Sequence, residues 1–260
     1  MLLLSLAWAV QAAETASESV LASGRWVKIK VKSTGMYQLT RSTLSSWGFK
    51  DISKVKIFGY GGAMISERLD DSYVDDLPQV AAYRSDSKLV FFAQGPERWD
   101  RLTSGGVRYK QVQNLYATEG YYFLTDRDDI PVKEMATTGT TGGADKLITT
   151  FPDRVAHEVD TYSPGITGNM FIGEDLRNGA QFSFSLPGRV EETAVSMAAS
   201  VASNVQNAVS TFTFSANGRP LSGRITTSGT TNKYKFASTG TTTNSFTPSG
   251  EKVDIDVDFS

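Results

Sequence analysis

The sequence predicts an all-β fold with one or two short helices, divided into two β-rich domains over residues 23–140 and 141–260. Apolar and polar residues alternate with a period of two in many short segments, as in half-buried strands. Turn residues separate these segments, a pattern typical of a β-sandwich or jelly roll, which we predict for the second domain. A Gly- and Thr-rich stretch without apolar periodicity, residues 136–145, predicts a linker or long loop between the domains.

The first elements are expected in the segment SGRWVKIKVKSTGMYQLTRSTLSSWGF. Residues 25–31 place Val27, Ile29 and Val31 on one face of a strand, and Trp26 and two lysines on the other. A turn and a second strand follow, so the pattern predicts a β-hairpin.

A short helix is expected after this hairpin. Thr40 is suited to cap its N-terminus, because a threonine hydroxyl accepts a hydrogen bond from a free amide of the first turn. Gly48 is suited to end it in the left-handed conformation.

Further strands of the first domain are predicted at residues 55–58, 77–83, 88–93 and 121–125. The last of these has apolar residues on both faces, which predicts a central position in its sheet.

The second domain begins with predicted strands at residues 147–151 and 154–159. Alternating runs follow: QFSFSL, AVSMAASV, STFTFSA and KYKFAS. The Thr-rich segment 226–246 is predicted as a hairpin, because Tyr234 and Phe236 alternate within it. The final run VDIDVDFS stops within an alternating pattern, so we expect the domain to be cut at its C-terminal end.

Composition narrows the possible functions. The 260 residues have a formal charge of −2, and acidic and basic residues are intermixed along the chain. The sequence therefore shows no basic patch of the kind that binds nucleic acid. The chain contains no cysteine, and this excludes disulfides, thiolate metal sites and a cysteine nucleophile from it.

The N-terminus resembles an export signal. An apolar run from Leu2 to Val10 is followed by small residues. The tripeptide Val10-Gln11-Ala12, or the one that begins a residue later, is suited to cleavage by signal peptidase. We predict residues 1–22 to be a signal peptide and leader, and the protein to pass through the periplasm to the outer-membrane cell surface. No later segment approaches about 20 apolar residues, so no transmembrane segment is expected.

His157, the chain's one histidine, is the first candidate for chemistry. A Ser-His-acid triad needs such a base, but no G-x-S-x-G segment accompanies it. Metal binding together with Glu158 is disfavoured, because neighbours in a strand point to opposite faces. We therefore predict no catalytic, cofactor-binding or metal-binding residue and no cofactor.

Two further features invite a ligand. The three glycines of FGYGGAM match neither dinucleotide nor phosphate-loop patterns, so a tight turn is favoured. The cluster Asp70, Asp71, Asp75 and Asp76 offers oxygens suited to calcium, although without an EF-hand pattern. Calcium there remains a hypothesis. The aspartates of VDIDVDFS are expected to form the solvated face of a strand.

Several segments in combination resemble a known family: WVKIKVKSTGMYQLT, a helix ending in WGF, SKVKIFGYGG, DDLPQV, LVFFAQGP, HEVDTYSP and FIGEDL. They resemble the N-terminal region of gingipain-type cysteine peptidases of the C25 family that act as sortases of the type IX secretion system in Bacteroidetes. The resemblance covers nearly all of residues 25–260.

This resemblance implies a surface enzyme far longer than the chain, which removes the C-terminal signal of cargo proteins and transfers them to anionic lipopolysaccharide. The expected partners are a downstream peptidase domain of the same polypeptide, outer-membrane proteins of the secretion system and cargo C-terminal domains. The family's catalytic cysteine and histidine lie in a downstream caspase-like α/β domain. His157 does not match that histidine motif, so no catalytic residue is carried over. The chain is expected to be truncated before the catalytic domain and inactive alone.

An alternative from a different class is a free-standing secreted β-sandwich that binds glycan or a surface protein. Exposed aromatic residues in a row would favour it, although aromatic residues in alternating strands more often pack in a core.

Overall fold

We describe the fold from a computed structural model, in residues 15–66, 73–102, 108–136, 147–163, 171–229 and 236–260. Residues 1–14 of the predicted signal peptide and leader, Asp70, Asp71, Tyr234 and almost all of the predicted linker lie outside the described residues. The chain forms two compact units, Met1–Gly143 and Ala144–Ser260. The architecture is all-β, which confirms the predicted fold class.

The first unit contains nine strands and one α-helix in its described residues: β1 Val27–Val31, β2 Gly35–Thr40, α1 Arg41–Ser46, β3 Lys56–Gly61, β4 Gln79–Val80, β5 Ala82–Arg84, β6 Lys88–Ala93, β7 Glu97–Leu102, β8 Arg108–Gln113 and β9 Gly120–Thr125. They form a four-stranded sheet in the order β1-β9-β3-β4, a three-stranded sheet in the order β2-β6-β5, and the pair β7-β8. All ladders are antiparallel.

The predicted hairpin of β1 and β2 is wrong. β1 pairs with β9, where Val27 lies opposite Leu124, while β2 pairs with β6 in the other sheet. The turn between them is a corner, in which the Tyr37 hydroxyl donates to the Ser33 carbonyl at 2.9 Å. The chain therefore crosses from one sheet to the other instead of folding back.

The core of the first unit is built from both larger sheets and the helix. Its buried side chains are Val31, Leu44, Phe49, Ile52, Val55, Ile57, Ala82, Leu89, Phe91, Ala93, Tyr122 and Leu124. The helix has the predicted caps: the Thr40 hydroxyl accepts from the Thr43 amide at 3.2 Å, and Gly48 adopts a φ of +90°. Leu44 is thereby held in the core.

The second unit contains seven described strands: β10 Ala180–Ser185, β11 Val195–Ser203, β12 Val209–Ala216, β13 Arg219–Pro220, β14 Ile225–Ser228, β15 Ser238–Phe246 and β16 Lys252–Phe259. The order β10-β16-β12-β13, with β14 also on β12, forms one sheet, and β11 and β15 form a second. Met197 and Val201 of the second sheet pack against Phe212, Phe214 and their buried neighbours in the first. This arrangement is a β-sandwich.

Predictions for two segments of this unit are wrong. Residues 147–161 form no strand, and one isolated bridge joins Tyr162 to Ile172. The described parts of the Thr-rich segment do not pair as a hairpin, since β14 pairs with β12 and β15 with β11. Alternation identifies an extended chain, but a strand also needs a partner for its backbone groups.

Candidate interaction surfaces

His157 has a carboxylate and an aromatic ring as neighbours. Its Nε2 lies 2.5 Å from Glu174 Oε1, and its ring centroid lies 4.9 Å from that of Phe182 in β10. Burial raises the pKa of the adjacent Glu158, and Asp160 raises it further, while His157 opposes the shift. These contacts attach residues 157–162 to the sandwich, an arrangement suited to anchoring the chain.

The glycine-rich segment is a junction of backbones. A side chain at Gly61 would overlap the Gln94 carbonyl oxygen, one at Gly62 would lie 2.5 Å from Pro96 N, and one at Gly120 would lie 2.5 Å from Gly62 N. The Gly62 amide donates to the Gln94 carbonyl at 2.9 Å. The segments FGYGG and FAQGP therefore meet directly, and this amide is not free to bind a phosphate.

Asp76 holds the end of the predicted leader. Its carboxylate accepts from the Val20 amide at 2.5 Å, the Ser19 hydroxyl at 3.0 Å and the Leu77 amide at 2.8 Å. Burial opposes ionisation, but these hydrogen bonds outweigh it and lower the pKa of Asp76. Asp75 accepts from the Ala16 amide. Two acids of the hypothesised calcium cluster thus bind backbone instead.

Arg127 holds the same chain from a second direction. Its Nη1 donates to the carbonyls of Val20 at 3.2 Å and Ser23 at 3.1 Å, and its Nη2 pairs with Asp129 at 2.5 Å. We call residues 16–24 the N-terminal strap. Sequence reasoning missed Arg127, because nothing in TDRDD signals a contact with residues about a hundred positions earlier.

The aspartates of β16 bridge neighbouring strands. Asp254 accepts from Ser183 of β10 at 2.5 Å, and Asp256 accepts from Gln181 at 2.6 Å and from Ser215 of β12 at 3.0 Å. Their side chains alternate with the buried Val253, Ile255 and Val257, as predicted. In the described parts of the chain, no three His, Asp or Glu residues are placed to hold a metal ion.

A shallow cleft beside α1 carries both signs of charge. It is lined by Arg25, Gly48, Lys50, Asp51, Lys54, Asp126 and Asp128. Lys54 pairs with Asp128 at 2.9 Å, and the Arg25 guanidinium lies 4.9 Å from the Phe49 ring centroid. Because these charges are already matched within the cleft, it offers no clear preference for an anion or a cation.

The outer face of the sheet β2-β6-β5 carries four apolar or aromatic side chains, beside the polar residues Gln38, Thr40 and Lys88. Met36, Tyr83 and Phe92 are 59%, 51% and 51% exposed, and Val90 lies beside them. We call these four residues the β2-β6-β5 outer face. A contiguous group of exposed apolar side chains is a candidate interaction surface.

A second exposed apolar surface lies at the start of the second unit. Leu147, Ile148 and Phe151 are 83%, 74% and 77% exposed. They lie in the part of the chain that was predicted as a strand and has no ladder.

Within the described ranges, no helix is both long and apolar enough to span a bilayer.

Comparison with known proteins shows a similarity to a solved structure. No protein-family model and no curated protein matches the chain. Among solved structures, the chain is similar to dimeric latent PorU from Porphyromonas gingivalis, with 31% sequence identity and a TM-score of 0.79. The match covers 95% of this chain and 24% of the PorU chain, so the chain spans about a quarter of that protein's length. The chain therefore corresponds to a PorU-related β region.

Proposed function

We propose that this chain is a non-catalytic β region of a longer exported cysteine peptidase of the PorU type, a type IX secretion system sortase. The observation that carries the proposal is the likeness to PorU over 95% of the chain. The sequence segments that resemble the gingipain-type sortases include the two glycine segments that meet in the fold. Because these two segments contact each other in the fold, there is a structural reason for both to be present in one sequence.

The composition of this region supports placing the cysteine-peptidase chemistry outside it. A cysteine peptidase needs a thiolate nucleophile beside a base. The chain has no cysteine, and His157 contacts Glu174 and Phe182. The chemistry would then belong to a downstream peptidase domain of the same polypeptide. The β region would support that domain or dock to it.

The proposed setting is the outer-membrane cell surface, reached through a signal peptide and the periplasm. The partners in this proposal are outer-membrane proteins of the secretion system and the C-terminal domains of cargo proteins. Removal of the cargo signal and transfer to lipopolysaccharide would be the activity of the whole polypeptide.

A thiol-directed peptidase probe tests the proposal. We expect the probe to label the complete polypeptide and a cargo C-terminal peptide to be cleaved by it, while the 260-residue chain does neither. A complete polypeptide with its downstream cysteine changed to alanine serves as the control and should not be labelled. Labelling or turnover by the chain alone would show that its chemistry lies within the β region.

A second candidate function is glycan binding by a free-standing module. The observation that favours it is the pair of exposed aromatic side chains Tyr83 and Phe92 in one sheet. Saturable binding of the chain to a polysaccharide array, abolished by Tyr83→Ala, would support this alternative.

A further inference from the structure

We propose that the β2-β6-β5 outer face docks another domain of the same longer polypeptide. This inference rests on the proposed function and specifies which surface of the β region meets the remainder of the protein.

The register of the sheet places its four residues side by side. Met36 of β2 lies directly opposite Phe92 of β6, and Val90 lies opposite Tyr83 of β5. Directly opposed residues on one face have Cβ atoms about 5 Å apart, so these side chains form one continuous patch.

The patch stands on a rigid support. Leu89, Phe91 and Ala93 alternate with its β6 residues and are fully buried on the inner face. Side chains on strands fixed by a core lose little backbone freedom when a partner binds, which favours docking.

The other large sheet of this unit shows how an outer face is adapted to water. There Lys28 Nζ lies 3.8 Å from the Tyr121 ring centroid, and Lys30 pairs with Glu119 at 2.8 Å. Lysine stems cover apolar surface while their charges stay hydrated. On the β2-β6-β5 sheet the one lysine of this face, Lys88, lies toward its end, and Met36, Val90, Phe92 and Tyr83 lie beside the uncharged Gln38.

The composition favours a protein partner over a glycan. Tyr, Phe and Met are enriched at the centres of protein interfaces. A glycan site needs several polar groups to orient the sugar hydroxyls, whereas Met36, Val90 and Phe92 have none and only Tyr83 and the neighbouring Gln38 supply one each.

The size of the patch favours a domain of the same chain over an independent partner or a second copy. Four side chains present a few hundred Å² at most, whereas a stable independent complex buries about 800 Å² on each partner. A tethered domain has an effective concentration of about millimolar, so a smaller contact suffices. The remaining three quarters of a PorU-sized polypeptide would supply such a domain.

Oxidation of Met36 by dilute peroxide tests this docking. Met36 is exposed in the chain, so we expect rapid sulfoxide formation there and a rate at least about tenfold lower in the complete polypeptide. Met135, half-buried in the same unit, is the internal reference and should react equally in both proteins. Phe92→Ser in the complete polypeptide should restore rapid oxidation of Met36, whereas Tyr116→Ser, at a residue 77% exposed outside the patch, should not.

The other outcomes separate the two proposals. Equal Met36 rates in an active complete polypeptide would overturn the docking proposal and leave the proposed function intact. Protection that depends on protein concentration would identify a second copy as the partner, and protection of the isolated chain by added polysaccharide would identify a glycan; each overturns the proposal. A reading frame that ends with this chain would overturn the proposed function and the docking proposal together.

Discussion

Asp76 is the residue that best shows how one side chain organises a distant segment. Two of its hydrogen bonds hold the N-terminal strap, and a third comes from the Leu77 amide just before β4. We expect Asp76→Ala to lower the free energy of unfolding by about 1–2 kcal/mol and to speed proteolysis within residues 16–24. Asp86→Ala, at an exposed carboxylate in the β5–β6 turn, is the control and should leave both unchanged. Equal effects of the two substitutions would show that the strap is not held by Asp76.

The stabilisation of the fold by the Asp76 carboxylate depends on pH in one direction. The pKa of Asp76 is lower in the folded protein than its ordinary value of 3.8. The folded state therefore binds the proton less readily, so the stabilisation is complete above about pH 4 and is lost as the pH falls through the lowered pKa. The difference in unfolding free energy between wild type and Asp76→Asn should decrease over that acidic range.

Gly61 tests the backbone junction. Both Gly48 and Gly61 have positive φ, +90° and +79°, so alanine at either position costs about 1 kcal/mol in backbone strain. At Gly48 the added Cβ meets the flexible end of Arg25, whereas at Gly61 it meets the Gln94 carbonyl. We expect denaturant unfolding to show a loss of several kcal/mol for Gly61→Ala and about 1 kcal/mol for Gly48→Ala. Similar losses in unfolding free energy for the two variants would mean that the Gln94 carbonyl moves aside for the added methyl group at little cost.

At the scale of the element, sequence patterns located most strands and both helix caps. The predicted strand at residues 88–93 coincides with β6, and the apolar run at 121–125 lies in β9, at the interior of its sheet. Period two and capping chemistry are local, so they can be recognised in one segment. Pairing is not local: nothing in β2 indicates that it lies beside β6 instead of β1.

The same limit applies to the interaction surfaces. The alternation in β2 and β6 predicts which residues share a face, but not that four apolar or aromatic side chains would lie together on the outer face. The N-terminal strap escaped prediction because its hydrogen bonds join Asp76 and Arg127 to residues 56 to 107 positions away.

The cap of α1 can be tested as a property of that element. Thr40→Ala removes the acceptor for the Thr43 amide, and we expect a loss of about 1 kcal/mol in unfolding free energy. Ser45→Ala, at an exposed position of the same helix, should be neutral or slightly stabilising, because alanine has the higher helix propensity. If thermal unfolding shows equal destabilisation for both, the cap does not set the position of α1.

At the scale of the whole molecule, each unit has its own hydrophobic core. Leu124→Ala in the first and Ile255→Ala in the second should each cost about 2–5 kcal/mol, because both side chains are buried. We expect peptide-resolved hydrogen exchange to accelerate in β1, β3 and β9 for Leu124→Ala, and in β10, β12 and β16 for Ile255→Ala. Acceleration of both sets of strands by either variant would show that the two cores unfold as one.

We propose, from the likeness to PorU and the cysteine-free composition, that this chain is a non-catalytic part of a longer polypeptide. Sequencing the source DNA beyond codon 260 tests that claim most directly. We expect a reading frame several times the length of this chain, which continues into a domain of alternating strands and helices that contains a cysteine and a histidine. A stop codon directly after Ser260 would contradict it and favour a free-standing β module.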